Sequence, residues 1–196
     1  VIQKMINFTP KTASKLFFNQ LFGGRQPKAV FGDLLAVMLN NSMYTYKVAG
    51  PQAGIEKTIM KKVVQLVGYP DLADGTIAPG GSMCNFMALV MARDSVVKDT
   101  PNAGVNSKMT LYTSKESHYS IPKNAAFAGI GRDQVRFIKT NEKGEMDINH
   151  LNDTILEDKN QGYTPFFVNA TAGTTVLGAF DDIETIHHVC KKHNLY

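Results

Sequence analysis

The chain has 196 residues, of which 43% are hydrophobic and 19% charged, and its formal net charge is +4. This length and composition suit one globular domain with a sizeable core. The lysines are scattered rather than gathered in a basic stripe with aromatic residues, which argues against a nucleic-acid interface. The longest apolar run, residues 86–92, is too short to cross a bilayer, so no membrane span is expected.

The first third of the chain predicts an arm followed by helices. Residues 1–27 are polar and interrupted by proline and glycine, which is typical of an arm or an active-site loop rather than a core element. Pro27 suits the first position of a helix, because its missing N–H is not needed there. A second helix is predicted over residues 55–67, where apolar side chains recur at helical spacing until Gly68.

From residue 109 onward the predicted elements alternate. Strands are predicted at residues 109–113, 134–139 and 166–170, and helices at residues 119–128, 148–160 and 183–193. Asp147 is the expected N-cap of the second of these helices, and Asp181 or Asp182 that of the third. Repeated βα units predict an α/β fold, a mostly parallel sheet with helices on both faces. The alternation also predicts a strand after residue 193, so we expect the sequence to end within a domain.

Residues 78–93, APGGSMCNFMALVMAR, place two glycines and a serine directly before a predicted helix. A helix start leaves backbone N–H groups unpaired and carries the positive end of the helix dipole, so it can bind a phosphate or another small dianion. Gly80 and Gly81 allow the backbone to approach the anion closely. Ser82 can cap the helix with its hydroxyl. The alternative is an ordinary Gly-Ser helix cap.

Two further loops follow predicted strands. Residues 113–120 contain His118, and residues 170–175 contain the pair Thr174 and Thr175. Because the carboxyl ends of parallel strands share one edge, these loops can meet the anion-binding loop at one site. No lysine follows a glycine loop as in a P-loop, and no complete dinucleotide fingerprint is present. The alternative for the histidine is a loop hydrogen bond, and for the threonines a preference for strands.

Possible metal ligands gather in the last predicted helix, which contains His187, His188, Cys190 and His193. We favour a solvated helix face over a metal site, because the spacing drifts around the helix and no fourth ligand supports it. Glu184 can form a surface pair with the histidine four residues later, His188. Cys84 and Cys190 match no disulfide or metal framework, and no secretion signal is visible, so a reducing cytoplasm is the expected compartment.

Five longer stretches, in one order along the chain, carry a resemblance to a known family. They are FFNQLFGG (17–24), NNSMYTYKVAG (40–50), GTIAPGGSMCNFMALVMAR (75–93), TSKESHYSIPKNAAFAGIG (113–131) and PFFVNATAGTTVLGAFDDI (165–183). In these stretches the chain resembles the pyridoxal-phosphate (PLP) dependent group II amino-acid decarboxylases. It is most similar to their glutamate, cysteine-sulfinate and acidic-amino-acid branch.

The resemblance implies a cofactor site. Gly81 and Ser82 correspond to positions that hold the phosphate of PLP. His118 corresponds to a catalytic imidazole that stacks on the pyridine ring, and a flat face of this kind fixes the plane of the ring. Thr175 corresponds to a hydroxyl that lines the cofactor site. No metal is implied.

The resemblance also implies a substrate loop. Asn19 and Gln20 correspond to the loop that contacts the substrate side chain, although a plain surface role is the alternative for both. Phe22 occupies a position that bears on substrate choice. Lys47 and Gly50 depart from the glutamate and proline that the family pattern leads us to expect near the tyrosine motif.

The implied fold is the large domain of PLP fold type I, which is aspartate-aminotransferase-like. Residues 1–55 would form the N-terminal arm and helices, with the substrate loop and dimer contacts. Residues 56–196 would form the first part of the PLP-binding α/β domain. The lysine that binds the cofactor covalently, the aspartate that pairs with its ring nitrogen and an arginine for the distal carboxylate are expected in the remaining C-terminal part of the same enzyme.

The implied activity is decarboxylation of glutamate, aspartate or cysteine sulfinate to the amine and CO2, by a homodimer with its site near the subunit interface. One alternative is an aminotransferase or another PLP lyase on the same fold. The other is a PLP-binding fragment or pseudoenzyme without catalytic activity.

Overall fold

The computed structural model describes residues 1–19, 21, 23–105 and 108–196. The chain folds as two units, Val1–Ile77 and Ala78–Tyr196. The helices of the first unit are α1 (Ile2–Phe8), α2 (Pro27–Leu39), α3 (Tyr46–Ala49) and α4 (Pro51–Leu66).

The first unit confirms the two predicted helices and corrects the predicted arm. Pro27 begins α2, and α4 begins at Pro51, which takes the first helical position before the apolar pattern starts at residue 55. The prediction of an irregular segment over residues 1–27 is wrong for its beginning, because α1 forms there. No residue of α1 is buried, so the structure shows no core packing that explains this helix.

The second unit is an α/β layer structure. Its elements are α5 (Gly81–Val96), α6 (Thr100–Ala103), β1 (Met109–Ser114), α7 (Ser120–Phe127), β2 (Val135–Ile138), α8 (Ile148–Asn160), β3 (Thr164–Asn169) and α9 (Ile183–His193). The three strands lie in the order β2-β1-β3, and both pairings are parallel. This confirms the predicted parallel α/β fold. Asp147 and Asp182 accept backbone N–H groups at the starts of α8 and α9, as predicted.

Helices cover both faces of the sheet. On one face, side chains of α5 and α7 such as Leu89 and Ile121 pack with Leu111 of β1. On the other face, side chains of α8 and α9 pack with Tyr112 of β1 and Ile138 of β2. Consecutive residues of β1 therefore serve opposite faces, as the period of two along a strand requires. Among the described helices, none combines the length and apolar character that a membrane span needs.

The outer edge of β3 carries one more pairing. The N–H of Tyr196 donates to the Phe166 carbonyl at 2.9 Å, and the Tyr196 carbonyl accepts from the N–H of Val168 at 2.9 Å. One residue that bonds to two alternate residues of its neighbour has the pattern of a parallel ladder. No strand follows α9 among the described elements, and Tyr196 alone makes this pairing.

Helix α9 corrects the predicted solvated face. His187 and His188 are exposed, but Cys190 and His193 are 8% and 9% exposed, because they face α8 and the sheet. Burial raises the pKa of the Cys190 thiol to about 11, and burial beside two lysines lowers the pKa of His193. His188 Nδ1 donates to the Glu184 backbone carbonyl at 2.8 Å rather than to its carboxylate. Within the described ranges, no three histidine, cysteine or acidic side chains form a metal-ligand group.

Candidate functional site

The candidate site lies at the edge of the sheet where the strands end. Strands β1 and β3 run parallel and end at Ser114 and Asn169, so the loops that follow them leave from the same edge. The Asn169 side-chain amide donates to the Thr113 hydroxyl at 3.2 Å and ties the two strand ends together. Ligands of parallel sheets bind at this edge.

The first turn of α5 offers unpaired donors. Gly80 is the N-cap, with φ +98°, and its carbonyl accepts from the N–H groups of Met83 at 3.0 Å and Cys84 at 3.3 Å. In the part of the chain that the structure describes, the N–H groups of Gly81 and Ser82 have no acceptor. The prediction that Ser82 caps the helix is wrong, because Ser82 lies inside the first turn and no side chain caps it. Its hydroxyl is thus a third free donor.

There is space for an anion beside these donors. A Cβ built on Gly81 would meet no protein atom within 4 Å. A separate hollow of about 420 Å³ adjoins the same turn and is mostly apolar, lined by Met83, Phe86 and Phe127 with Ser82 and Asn124. The positive end of the helix dipole and the three donors together suit a phosphate group.

His118 presents an oriented imidazole on the turn after β1. The ring is exposed, and its Nδ1 accepts the N–H of Ser120 at 3.1 Å. Because Nδ1 accepts, the neutral ring carries its proton on Nε2. The Tyr119 ring lies 4.2 Å from the imidazole with a tilt of 33°, and Lys123 Nζ lies 4.3 Å from the centre of the Tyr119 ring. The imidazole therefore has one supported face and one accessible nitrogen.

Two asparagine side chains connect the α5 turn to the His118 turn. Asn85 of α5 donates to the Ser120 hydroxyl at 3.0 Å, and Asn124 of α7 donates to the Ser82 carbonyl at 2.9 Å. The structure thereby brings the predicted phosphate residue and the predicted imidazole to one place. Sequence reasoning missed both asparagines. The signal for Asn124 was a polar residue within the apolar pattern of α7.

The loop after β3 carries Thr175 at the same edge of the sheet. Thr175 is exposed, whereas Thr174 is buried and its hydroxyl accepts the N–H of Ala179 at 3.0 Å. Both threonines lie outside the described strands, so the alternative of strand-forming residues is wrong. Among the described contacts, no hydrogen bond joins Thr175 to Ser82 or His118. The position of Thr175 relative to these residues is set by the hydrogen bonds that fix its loop.

A buried carboxylate holds that loop. Asp181, one of the two predicted caps of α9, is instead 6% exposed and accepts two backbone N–H groups. They come from Met146 and Thr171, each at 2.7 Å. The loop that carries Thr175 is thus fixed at its start and its end.

The predicted substrate residues belong to the first unit. Asn19 is exposed, and its side-chain oxygen accepts the N–H of Leu21 at 2.8 Å. Gln20 and Phe22 lie outside the described residues.

Comparisons with known proteins agree with the resemblance. The family model described as the pyridoxal-dependent decarboxylase conserved domain matches residues 2–196. Cysteine sulfinic acid decarboxylase of Mus musculus is 42% identical over 194 residues, which cover 98% of this chain and 39% of that protein. Acidic amino acid decarboxylase GADL1 of Xenopus tropicalis is 39% identical over 196 residues, which cover 99% of this chain and 38% of that protein.

A solved structure agrees with the fold. The crystal structure of mouse CSAD in apo form superposes with a TM-score of 0.96 at 42% identity and covers 99% of this chain and 41% of that one. The chain spans about 39% of the length of the first of these relatives. The family match over nearly the whole chain and the fold lead to the same conclusion: the chain belongs to the pyridoxal-dependent decarboxylase family.

Proposed function

We propose that the enzyme to which this chain belongs uses PLP to decarboxylate an acidic L-amino acid to the amine and CO2. The substrate class is glutamate, aspartate or cysteine sulfinate, supported by relatives named for cysteine sulfinic acid and acidic amino acids. The observation that carries the proposal is that the free backbone N–H groups of Gly81 and Ser82 lie in the same site as the oriented imidazole of His118.

The donor set fits the phosphate of PLP. The N–H groups of Gly81 and Ser82 and the Ser82 hydroxyl would hold the phosphate oxygens, at the positive end of the dipole of α5. The absence of a Cβ at Gly81 leaves room for that group. His118 would lie on the face of the pyridine ring, and the Thr175 hydroxyl would line the site beside it.

The chemistry divides between cofactor and protein. Bound PLP supplies a ring that accepts the electrons of the Cα–carboxylate bond as that bond breaks. His118 would hold the cofactor ring by its flat face and would offer an Nε2–H as a donor, since its Nδ1 is engaged by Ser120. The amides of the α5 turn fix the phosphate, so the reacting end is positioned by a rigid anchor.

The remaining roles form part of the same proposal. Asn19, Gln20 and Phe22 would contact the substrate side chain. Residues 1–55 would carry this loop and the dimer contacts, and residues 56–196 the cofactor-binding part, completed by the remaining C-terminal part of the enzyme. The active form would be a homodimer. A reducing cytoplasm would suit the two free cysteines.

Product analysis of the full-length enzyme tests the proposed function. With PLP, we expect CO2 and the amine from at least one of glutamate, aspartate and cysteine sulfinate. A keto acid in place of CO2 would indicate an aminotransferase. PLP binding without turnover would indicate a protein that binds the cofactor only, and either result would contradict the proposal.

Substitutions at two neighbouring glycines distinguish an effect on cofactor binding from an effect on folding. In the full-length enzyme freed of PLP, Gly81→Ala is expected not to lower the melting temperature, because a Cβ there meets no protein atom within 4 Å. It should weaken PLP binding by about tenfold or more, because the Cβ tilts toward the helix start and disturbs hydrogen bonds to a charged group. Fluorescence titration of the apoenzyme with PLP measures this.

Gly80→Ala is the matched comparison. Gly80 has φ +98°, which a residue with a Cβ rarely adopts, so this variant should lower the melting temperature. An unchanged PLP affinity in Gly81→Ala would remove the α5 turn from the phosphate site.

A further inference from the structure

Two side-chain amides cross between α5 and α7 in opposite directions. Asn85 Nδ2 reaches from α5 to the Ser120 hydroxyl at 3.0 Å. Asn124 Nδ2 reaches from α7 back to the Ser82 carbonyl at 2.9 Å. Each helix therefore donates one hydrogen bond to the first turn of the other.

The acceptor of each bond belongs to a residue that either forms part of the candidate site or contacts it directly. The Ser82 carbonyl belongs to the residue whose own N–H and hydroxyl are free to hold an anion. The hydroxyl of Ser120 belongs to the residue whose N–H donates to the His118 imidazole at 3.1 Å. The two amides thus link the anion-binding turn to the imidazole turn.

The burial of these groups indicates that the linkage is rigid. Ser120 is 1% exposed and Asn124 is 5% exposed. A buried amide costs free energy unless its hydrogen bonds are made, so an apolar side chain would pack here at lower cost. A pair of hydrogen-bonded amides instead favours one relative position of the two turns.

We propose that Asn85 and Asn124 are positioning residues that set the separation between the phosphate-binding amides and the His118 imidazole. This inference rests on the proposed function. Asn124 holds the phosphate end through Ser82, and Asn85 holds the imidazole end through Ser120. Neither side chain needs to touch the cofactor.

The test uses the full-length enzyme with Asn85→Ala, Asn124→Ala, Ser120→Ala and the double variant Asn85→Ala/Ser120→Ala. Arg93→Gln is the matched control, because Arg93 Nη1 also ties α5 to the end of α7, through the Ala128 carbonyl at 2.9 Å. That tie lies about 12 Å further along the axis of α5. Arg93→Gln therefore removes a contact between the same two helices at a point away from the site.

Each variant is assayed for the dissociation constant of PLP, for the circular dichroism of the bound cofactor and for kcat and KM. Asn124→Ala is expected to weaken PLP binding by about tenfold, because the anchoring turn loses its brace. Asn85→Ala is expected to change the dichroic band and to lower kcat by about tenfold with little change in KM. The double variant should be no worse than Asn85→Ala, since both changes remove one contact. Arg93→Gln should match the wild type in all three assays.

The inference is overturned if the wild type binds PLP while Asn85→Ala and Asn124→Ala behave like Arg93→Gln. It is also overturned if the effects of Asn85→Ala and Ser120→Ala simply add. If Asn124→Ala does not fold, the test rests on the half-buried Asn85, through Asn85→Ala, Ser120→Ala and their double variant. A wild type that binds no PLP removes the proposed function itself, and this result is distinct from the others.

Discussion

Replacing His118 by alanine in the full-length enzyme is expected to lower kcat for decarboxylation by about a hundredfold or more. The side chain is exposed, so the apoenzyme should still fold, with only the small fall in melting temperature expected from the lost hydrogen bond of the Ser120 N–H. The Ser120 N–H holds the imidazole at Nδ1, and the Tyr119 ring lies 4.2 Å from it. Alanine removes both the flat face offered to the cofactor ring and the Nε2–H. Steady-state kinetics with the preferred acidic substrate measure the effect.

A second substitution separates the two contributions of the imidazole. His118→Phe keeps a flat aromatic face but has no ring nitrogen. We expect it to bind PLP nearly as well as the wild type and yet to turn over as slowly as His118→Ala. This split would assign the ring face to binding and Nε2–H to the reaction. Equal loss of PLP affinity in both variants would mean that a phenyl ring cannot replace the imidazole in this position.

The matched control is His187→Ala. His187 is an exposed histidine on α9, and its ring neighbour is another histidine, His188, at 6.0 Å. Its removal should leave kcat and PLP affinity unchanged. Turnover near the wild-type rate in His118→Ala would remove His118 from the mechanism, whatever the control does.

Local signals in the sequence were sufficient for the three strands and for the longer helices of the second unit, but α6 was not predicted. The bounds of α8 and α9 coincide with the predicted ones, and Asp147 and Asp182 cap them. Capping and apolar spacing act within one or two turns, so they can be found without knowing the partner of a helix. Gly80 as N-cap was harder to find, because the positive φ that decides it is a property of the folded backbone.

Contacts between elements could not be predicted in the same way. Cys190 and His193 were expected to face solvent, but α9 turns them toward α8 and the sheet. The partners of Asn85 and Asn124 lie 35 and 42 residues away in sequence. Such pairings depend on how helices pack on the sheet, which spacing along one helix does not specify. The residues of the candidate site could thus be named from sequence, and the contacts that brace them could not.

The largest stability effect is expected from Asp158→Ala. Asp158 is 4% exposed, and its carboxylate accepts the Tyr112 hydroxyl at 2.6 Å. It also pairs with the Arg136 guanidinium, through Nε at 3.0 Å and Nη2 at 2.9 Å. Burial and the bond to Asp158 raise the pKa of Tyr112 further above neutral pH. These contacts join β1, β2 and α8 at one buried carboxylate.

Removing the carboxylate takes away the ion-pair partner of Arg136, which among the described contacts keeps only the Asp133 carbonyl and the Tyr163 ring. Breaking a buried ion pair at one end costs about 3–5 kcal/mol, and because the Arg136 side chain is 23% exposed, the free energy of unfolding should fall by an amount near the lower end of that range. Urea denaturation followed by circular dichroism measures the change. Asp153→Ala is the control, because Asp153 is an exposed aspartate on the same helix. It should change the unfolding free energy by no more than about 0.5 kcal/mol.

A double variant shows which contact of Asp158 accounts for the loss of unfolding free energy in Asp158→Ala. Arg136→Met with Asp158→Leu removes both charges and keeps apolar volume, and such replacements of a buried pair are often neutral. The Tyr112 hydroxyl keeps its contact with the Thr110 hydroxyl at 3.1 Å, so it is not left without a partner. We therefore expect the double variant to recover most of the stability lost in Asp158→Ala. If it is as unstable as Asp158→Ala, the loss reflects the shape and hydrogen bonding of the carboxylate rather than an uncompensated charge.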